Sequence, residues 1–234
     1  MKSVELLGVK VKPEDVERIV HDQLASGGTW GSRDDMDNAA GLSRAIRALD
    51  GSPLRGPFIT AAVDAVTDPD PNVRMGALLV ARSYGQDIGA GPRLLAAWRG
   101  HPELFRNIPI SVRERDLESL LLSAMAASVK PEDHAVLDAL RELVRGESTR
   151  DLVLAGLARA DPRWMAHHVF DWLGDDGGRL GAILVNVPEE AEVEEVVRAI
   201  SKASPQIRAG AADVIRQSIP DRDRAAHLIS LLDT

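Results

Sequence analysis

The chain has 234 residues, of which 44% are hydrophobic and 3% aromatic, and it carries a net charge of −8. The absence of cysteine excludes disulfide bonds and thiolate metal or redox sites, and the excess of acidic residues argues against the broad basic face that nucleic acid requires. No apolar run reaches the ~20 residues that a membrane-spanning helix needs.

An apolar content dominated by small and aliphatic residues, with few aromatics, favours close-packed helices, so we predict an all-α chain. The best strand candidate is the segment from Val4 to Val11. Helices are predicted over Pro13 to Ser26 and Asp35 to Leu49, with a glycine-rich loop between them, because apolar residues recur there at steps of three and four.

The most informative segment is the turn from Asp68 to Arg74, which separates two predicted helices. Pro69 ends the first helix, Asp70 is a good N-cap, and Pro71 suits the first turn of the second helix. Apolar residues then recur on one face, and Gly85 is placed to end that helix. A connection this short predicts an antiparallel helical hairpin.

Proline, glycine or aspartate marks almost every later junction, which predicts helices of about three turns. At this length the default expectation is one domain. The remaining predicted helices are Pro92 to Arg99, Arg113 to Ser128, Pro131 to Val144, Thr149 to Ala160, Pro162 to Leu173, Gly178 to Asn186, Glu189 to Lys202, Pro205 to Ser218 and Asp221 to Leu232.

The pattern at Pro71 to Ala77, a proline followed by a hydrophobic residue and an arginine, recurs at Pro205 to Ala211. In that alignment Arg82 falls on Arg216. If three repeat steps separate the two copies, the period is about 45 residues, within the range of helical-hairpin repeats. Two degenerate copies are predicted at residues 110–113 and 160–166.

Residues 68–85, and more weakly 204–216, resemble the inter-helix turn of HEAT repeats. The resemblance implies a right-handed α-solenoid of about five antiparallel helical hairpins in a single domain. It divides residues 1–234 into a divergent N-terminal cap (1–52), the repeats (53–219) and a C-terminal capping helix (220–234). In HEAT repeats a Val-Arg pair opens the second helix; Val73 and Arg74 match it, which implies a core role for Val73 and an ion pair from Arg74 to the turn of a neighbouring repeat.

Arg82 and Arg216 are candidate partner-binding residues because they occupy matching positions of matching second helices. In a solenoid such positions form a ladder along the concave face, and arginines there would contact carboxylates or phosphates. Ordinary solvent exposure is the alternative interpretation.

Trp98 and Trp164 are further candidates, because tryptophan is favoured at binding hot spots, and the alternative interpretation is core packing in a chain that has few aromatic residues. His167 and Asp171 lie four residues apart and share a helix face, where they would bind a cation or share a proton. One imidazole and one carboxylate are too few ligands for zinc, so we expect no metal and no catalytic residue here.

These patterns predict a non-catalytic protein-interaction or scaffold module that binds a protein partner on its concave face, without a cofactor, nucleic acid or membrane. The alternatives are a HEAT-like DNA glycosylase, a bilin lyase-type subunit, and an immunity or inhibitor protein. The net charge argues against the first. No signal peptide is apparent, which predicts a cytoplasmic protein, and the bias toward Ala, Gly, Arg and Asp is typical of bacteria with GC-rich genomes.

Overall fold

The computed structural model describes residues 4–6, 9–25, 43, 45–106, 116–171 and 179–233. Contacts divide the chain into two compact units, Met1–Ala139 and Leu140–Thr234. Among the described residues every element except one N-terminal β-hairpin is helical, which confirms the helical class. In the same part of the chain, no helix is long and apolar enough to cross a bilayer.

The first unit begins with strand β1 (Val4–Leu6), which pairs antiparallel with strand β2 (Val9–Val11). The predicted strand region is therefore two short strands. A 3₁₀ turn at Pro13–Asp15 then leads into helix α1 (Val16–Ala25), whose buried residues recur every four positions and face the core. The unit continues with α2 (Arg55–Asp64), α3 (Pro71–Ile88), α4 (Gly91–Gly100), α5 (Leu117–Ser128) and the start of α6 (His134–Leu143).

Helices α2 and α3 form the hairpin that the turn predicted, and they pack against each other and against α1. Two carboxylates organise the turn. The side chain of Asp68 accepts a hydrogen bond from the backbone N–H of Asp70 at 2.8 Å, and the side chain of Asp70 accepts one from the N–H of Asn72 at 2.8 Å. The N-cap and the following proline therefore act as the sequence predicts.

Arg74 is 3% exposed, and its guanidinium folds back onto its own turn. Its Nη1 donates to the carbonyl oxygens of Asp68 at 2.6 Å and Pro69 at 2.9 Å. Burial lowers the pKa of Arg74, while the charges of Asp68 and Asp70 raise it. Arg74 thus closes the turn that precedes it, instead of pairing with the acidic residue of a neighbouring turn.

Gly85 does not end α3, contrary to the sequence prediction. The helix continues to Ile88 and ends at Gly89, whose φ of 63° is the left-handed conformation that glycine adopts without strain. Gly85 is buried where α3 crosses α5, and a Cβ there would overlap the Oγ of Ser128. The glycine is required for close helix packing, because a side chain at this position would push the two helices apart.

The second unit contains α7 (Glu147–Ala160), α8 (Pro162–His168), α9 (Leu180–Leu184), α10 (Glu190–Ile200), α11 (Pro205–Ser218) and α12 (Arg222–Ser230). Helix α9 contacts α7 and α11, and helix α10 contacts α8 and α12. Alternate helices therefore lie side by side in two rows, with α7, α9 and α11 in one row and α8, α10 and α12 in the other. Helices that follow each other along the chain belong to different rows.

Capping side chains mark the starts of α8, α11 and α12 in this unit. Asp161 accepts from the N–H of Trp164, and Ser204 accepts from the N–H of Ile207. Arg208, which aligns with Arg74, does not close its own turn; its Nη1 donates to the carbonyl of Leu232 at 3.1 Å. The two aligned arginines thus have different structural roles.

Some predicted features lie outside the described residues: the repeat copy at 110–113, most of the helix from Asp35 to Leu49, and the end of the helix from Pro162 to Leu173. The degenerate copy at 160–166 coincides with the capped start of α8. The single-domain organisation and its repeat boundaries stay predictions.

Candidate interaction surface

An open groove of about 500 Å³ runs along α8 and α10 in the second unit. Helix α8 and the 3₁₀ turn after it contribute Ala166, His167 and Phe170 to its lining. Phe170 lies four residues after Ala166 and three after His167, so it shares a helix face with each of them, while Met165 and Val169 are buried in the core. From here on we call this surface the α8–α10 groove.

The opposite wall is one face of α10 and the turn that follows it. Glu195, Arg198 and Lys202 recur there at steps of three and four residues, and Ala199 and Ser201 lie beside them. The other face of α10 is buried and apolar, as expected for an amphipathic helix packed on a core: Val193, Val196, Val197 and Ile200.

Phe170 gives the groove its apolar character. Its side chain is 41% exposed, which makes it one of two large hydrophobic residues, with Val185, that are exposed among the residues the structure describes. Single exposed hydrophobic residues are common on soluble proteins. This one is distinctive because it lies in a concave surface beside two alanines, Ala166 and Ala199.

Glu194 lies beside the groove and contacts a histidine and an arginine side chain. Its Oε1 is 2.9 Å from Nε2 of His227, and its Oε2 is 2.5 Å from Nη2 of Arg198. The hydrogen bond from His227 and, after it, that from Arg198 hold the pKa of Glu194 below its usual value. The charge of Arg198 is therefore largely balanced by its own helix.

Glu195 and Lys202 differ from Arg198 in this respect. Both side chains are exposed, and neither forms an ion pair or a side-chain hydrogen bond with any residue that the structure describes. They lie at the two ends of the α10 wall, so the groove presents one free negative charge and one free positive charge.

The acidic start of α10 is also partly neutralised within the fold. Glu190 pairs with Arg224 of α12, with Oε2 and Nη2 at 2.5 Å, and Glu194 pairs with His227 of the same helix. These contacts attach α10 to α12. Glu190 and Glu194 are therefore engaged within the fold.

The two predicted arginines are both exposed. Arg82 lies on α3, and Arg216 lies on α11, where its Nη1 is 2.6 Å from Oδ1 of Asp213. Helix α11 belongs to the row of α7 and α9, whereas α8 belongs to the other row. Within the second unit, Arg216 is thus in a different row from Trp164 and His167.

The two predicted tryptophans are half-buried and engaged in packing. Nε1 of Trp98 donates to Oε1 of Glu118 at 3.0 Å, which connects α4 to α5. Trp164 stacks on His168 with ring centroids 4.2 Å apart, and the guanidinium of Arg141 lies 5.7 Å from the indole centroid. Arg141 also forms an ion pair with Asp161, so this cluster connects α6 to the start of α8.

His167 is the one predicted site residue that lines the groove. Its imidazole is exposed, and Nδ1 lies 2.8 Å from the carbonyl of Arg163 on the same helix. Asp171 is exposed at the end of the adjoining 3₁₀ turn. Across the described residues, no three His, Asp or Glu side chains are close enough together to hold a metal ion.

The sequence interpretation missed Phe170 and Lys202 as surface features. A signal was present, because Glu195, Arg198 and Lys202 recur on one face of the predicted helix from Glu189 to Lys202. The identity of the helix that would face them was not readable, since α8 lies about thirty residues earlier, with α9 between them.

The likeness to HEAT repeats rests on the residues of two turns. Both turns start a helix with a capping side chain followed by proline, at Asp70 and at Ser204. The arginines that follow them contact different parts of the fold. Compared with models of known protein families and with curated proteins, the chain matches none.

Proposed function

We propose that the chain is a HEAT-like α-solenoid that acts as a non-catalytic protein-interaction module. The observation that supports this most is the pair of rows in the second unit, in which α7, α9 and α11 lie side by side, as do α8, α10 and α12. Stacked helical hairpins pack in this way, because each hairpin buries its apolar face only against its neighbours.

Such an arrangement suits protein recognition for an energetic reason. The helices of each row are held by a continuous core, so their outward faces are ordered before any partner arrives. Binding then costs little side-chain and backbone entropy compared with binding by a loop. The α8–α10 groove is a surface of this type.

The test is affinity capture from a nuclease-treated lysate of the native host, followed by mass spectrometry. The sequence analysis predicts that the partner binds the concave face, formed by the second helix of each hairpin, where Arg82 and Arg216 lie. Capture by the wild-type chain is therefore compared with capture by the double variant Arg82→Glu/Arg216→Glu. We expect the wild-type chain to retain a defined protein and the variant to lose it, because charge reversal on a contact face opposes docking.

The matched control is Arg99→Glu/Arg222→Glu, which changes the net charge by the same amount at two exposed arginines. Retention by the control and loss by the test variant would support the second-helix face. If both variants retain the partner protein equally well, the partner does not bind the second-helix face. If the wild-type chain retains no protein above the level of an unrelated bait, the interaction function itself is wrong.

Two measurements address the enzymatic alternatives. A gel shift at low salt with damaged duplex DNA examines the glycosylase alternative, since tight and salt-sensitive binding would overturn our proposal. The absorption spectrum of the chain purified from its host examines the bilin lyase alternative, and a copurifying pigment would favour it.

A further inference from the structure

We propose that the α8–α10 groove receives one helix of a partner protein, and that this helix carries an apolar stripe flanked by one basic and one acidic residue about two turns apart. The inference rests on the proposed interaction function and names the chemistry of its partner. It follows from three features of the groove, which are its exposed phenylalanine, its small residues and its two free charges.

The apolar part of the groove combines one exposed aromatic ring with two small residues. Phe170 projects from the α8 side, while Ala166 and Ala199 contribute only methyl groups beside it. Small residues next to an exposed aromatic ring leave room for one or two aliphatic side chains of an incoming helix. Helix-in-groove recognition uses such anchors at spacings of three, four and seven residues.

The charges specify what flanks the apolar stripe. Glu195 and Lys202 are seven residues apart, which places them about 10 Å apart along the wall at the rise of a helix. Neither has an ion-pair partner among the described residues. A partner helix that offers a cation near Glu195 and a carboxylate near Lys202 would pair both, and its own two charges would be separated by two turns.

A purely acidic or purely basic ligand fits less well. An anionic ligand would be attracted by Lys202 but repelled by Glu195, and a cationic ligand would meet the reverse. Arg198 does not change this balance, because Glu194 already pairs with it. The mixed charge of the groove therefore selects a mixed-charge helix over a phosphate group or a polybasic tail.

The test uses three fluorescein-labelled helical peptides that share one leucine stripe. They differ only at two flanking positions seven residues apart, which are Lys and Glu, Glu and Glu, or Lys and Lys. The comparison does not depend on the direction in which a peptide lies, because a reversed mixed peptide still presents both charges. For the wild-type chain we expect the mixed peptide to bind about three- to tenfold more tightly than either of the others at low salt.

Two charge reversals in the groove should change this preference in opposite directions. Lys202→Glu leaves two carboxylates, so this variant should prefer the Lys-Lys peptide. Glu195→Lys leaves two cations, so this variant should prefer the Glu-Glu peptide. Phe170→Ala should weaken all three peptides by about five- to tenfold without changing their order, because it removes the shared apolar anchor.

The matched controls are Arg99→Glu and Glu132→Lys, which change the net charge equally but lie in the first unit. They should leave the wild-type order of peptides unchanged. Equal binding of all three peptides, no binding up to about 1 mM, or a preference that follows net charge in the controls would overturn the inference. None of these outcomes affects the result of the affinity capture from the host lysate. The two experiments therefore distinguish an error in the groove proposal from an error in the proposed interaction function.

Discussion

The hydroxyl of Ser128 on α5 lies directly against Gly85 on α3, at the point where the two helices cross. The same hydroxyl donates a hydrogen bond at 3.0 Å to the carbonyl of Ala81, one turn before the glycine. In the second unit Gly181 on α9 and Ser218 on α11 meet in a similar way. Each unit thus contains a glycine that allows close approach of two helices.

Gly85→Ala should destabilise the chain by about 1–3 kcal/mol, because the new methyl group overlaps Ser128 Oγ and forces the helices apart. Chemical denaturation measures the loss. Gly56→Ala is the matched control, since a Cβ at that helical position meets nothing within 4 Å, and it should be neutral or stabilising by up to about 1 kcal/mol. The double variant Gly85→Ala/Ser128→Gly should recover part of the lost free energy of unfolding. If the costs of the two single substitutions simply add in the double variant, the contact between the new methyl group and Ser128 is not the cause of the loss.

Arg74→Ala should cost about 2–4 kcal/mol of the free energy of unfolding. The substitution removes a buried guanidinium and leaves the carbonyl oxygens of Asp68 and Pro69 without that donor. Arg208→Ala removes a half-buried arginine that donates to one carbonyl at the C-terminus, so its cost should be nearer about 1 kcal/mol. Equal costs for the two aligned arginines would contradict their different roles.

Asp161 combines a cap and an ion pair, and two substitutions separate them. Asp161→Asn keeps a capping oxygen for the N–H of Trp164 but loses the ion pair with Arg141. Asp161→Ala loses both and should be less stable than the Asn variant by about 1 kcal/mol in thermal or chemical unfolding. If the two variants unfold alike, the cap contributes nothing measurable to α8.

The lowered pKa of Glu194 predicts a pH-dependent contribution to stability. A carboxyl group whose pKa is lower in the folded than in the unfolded state stabilises the fold above the unfolded value, and the contribution disappears as pH falls through the folded value. The wild-type chain should therefore be more stable than Glu194→Gln at neutral pH, and the difference should shrink in acid and vanish once the pH is below the lowered pKa of Glu194 in the folded state.

Thermal unfolding of the two proteins across that pH range measures the difference, with Glu195→Gln as the control. Glu195 is the neighbouring carboxylate and has no ion pair among the described residues, so Glu195→Gln should alter stability little at neutral or at acidic pH. A wild-type advantage over Glu194→Gln that persists unchanged in acid would show that the pairs with His227 and Arg198 do not depend on the charge of Glu194.

Local chemistry made much of the helical organisation predictable. Proline and aspartate specify helix starts through contacts within a few residues, so the starts of α3 and α11 follow from Asp70 and Ser204. The function of Gly85 was not predictable, because a glycine that ends a helix and one that allows close packing look alike in sequence. The end of α3 also depended on Gly89, four residues later.

The candidate surface was less predictable, because it depends on which distant elements meet. Arg74 and Arg208 occupy matching positions in similar motifs, yet one contacts its own turn and the other the last 3₁₀ turn of the chain. Phe170 follows the buried Val169 directly, and nothing in the sequence distinguishes the exposed residue from the buried one. His167 was placed correctly on a solvent-facing side, but its groove partners were not identified.

The capped helix starts have a consequence for synthesis of the chain on the ribosome. Each capping oxygen bonds an amide two or three residues further along, so both partners of the bond emerge almost together. The signals for the helix starts are thus present in chain order before the long-range contacts within each unit exist, and the later packing stabilises the helices that these local contacts favour. The residues that cap in this way are Asp70, Asp116, Asp161, Ser204 and Asp221.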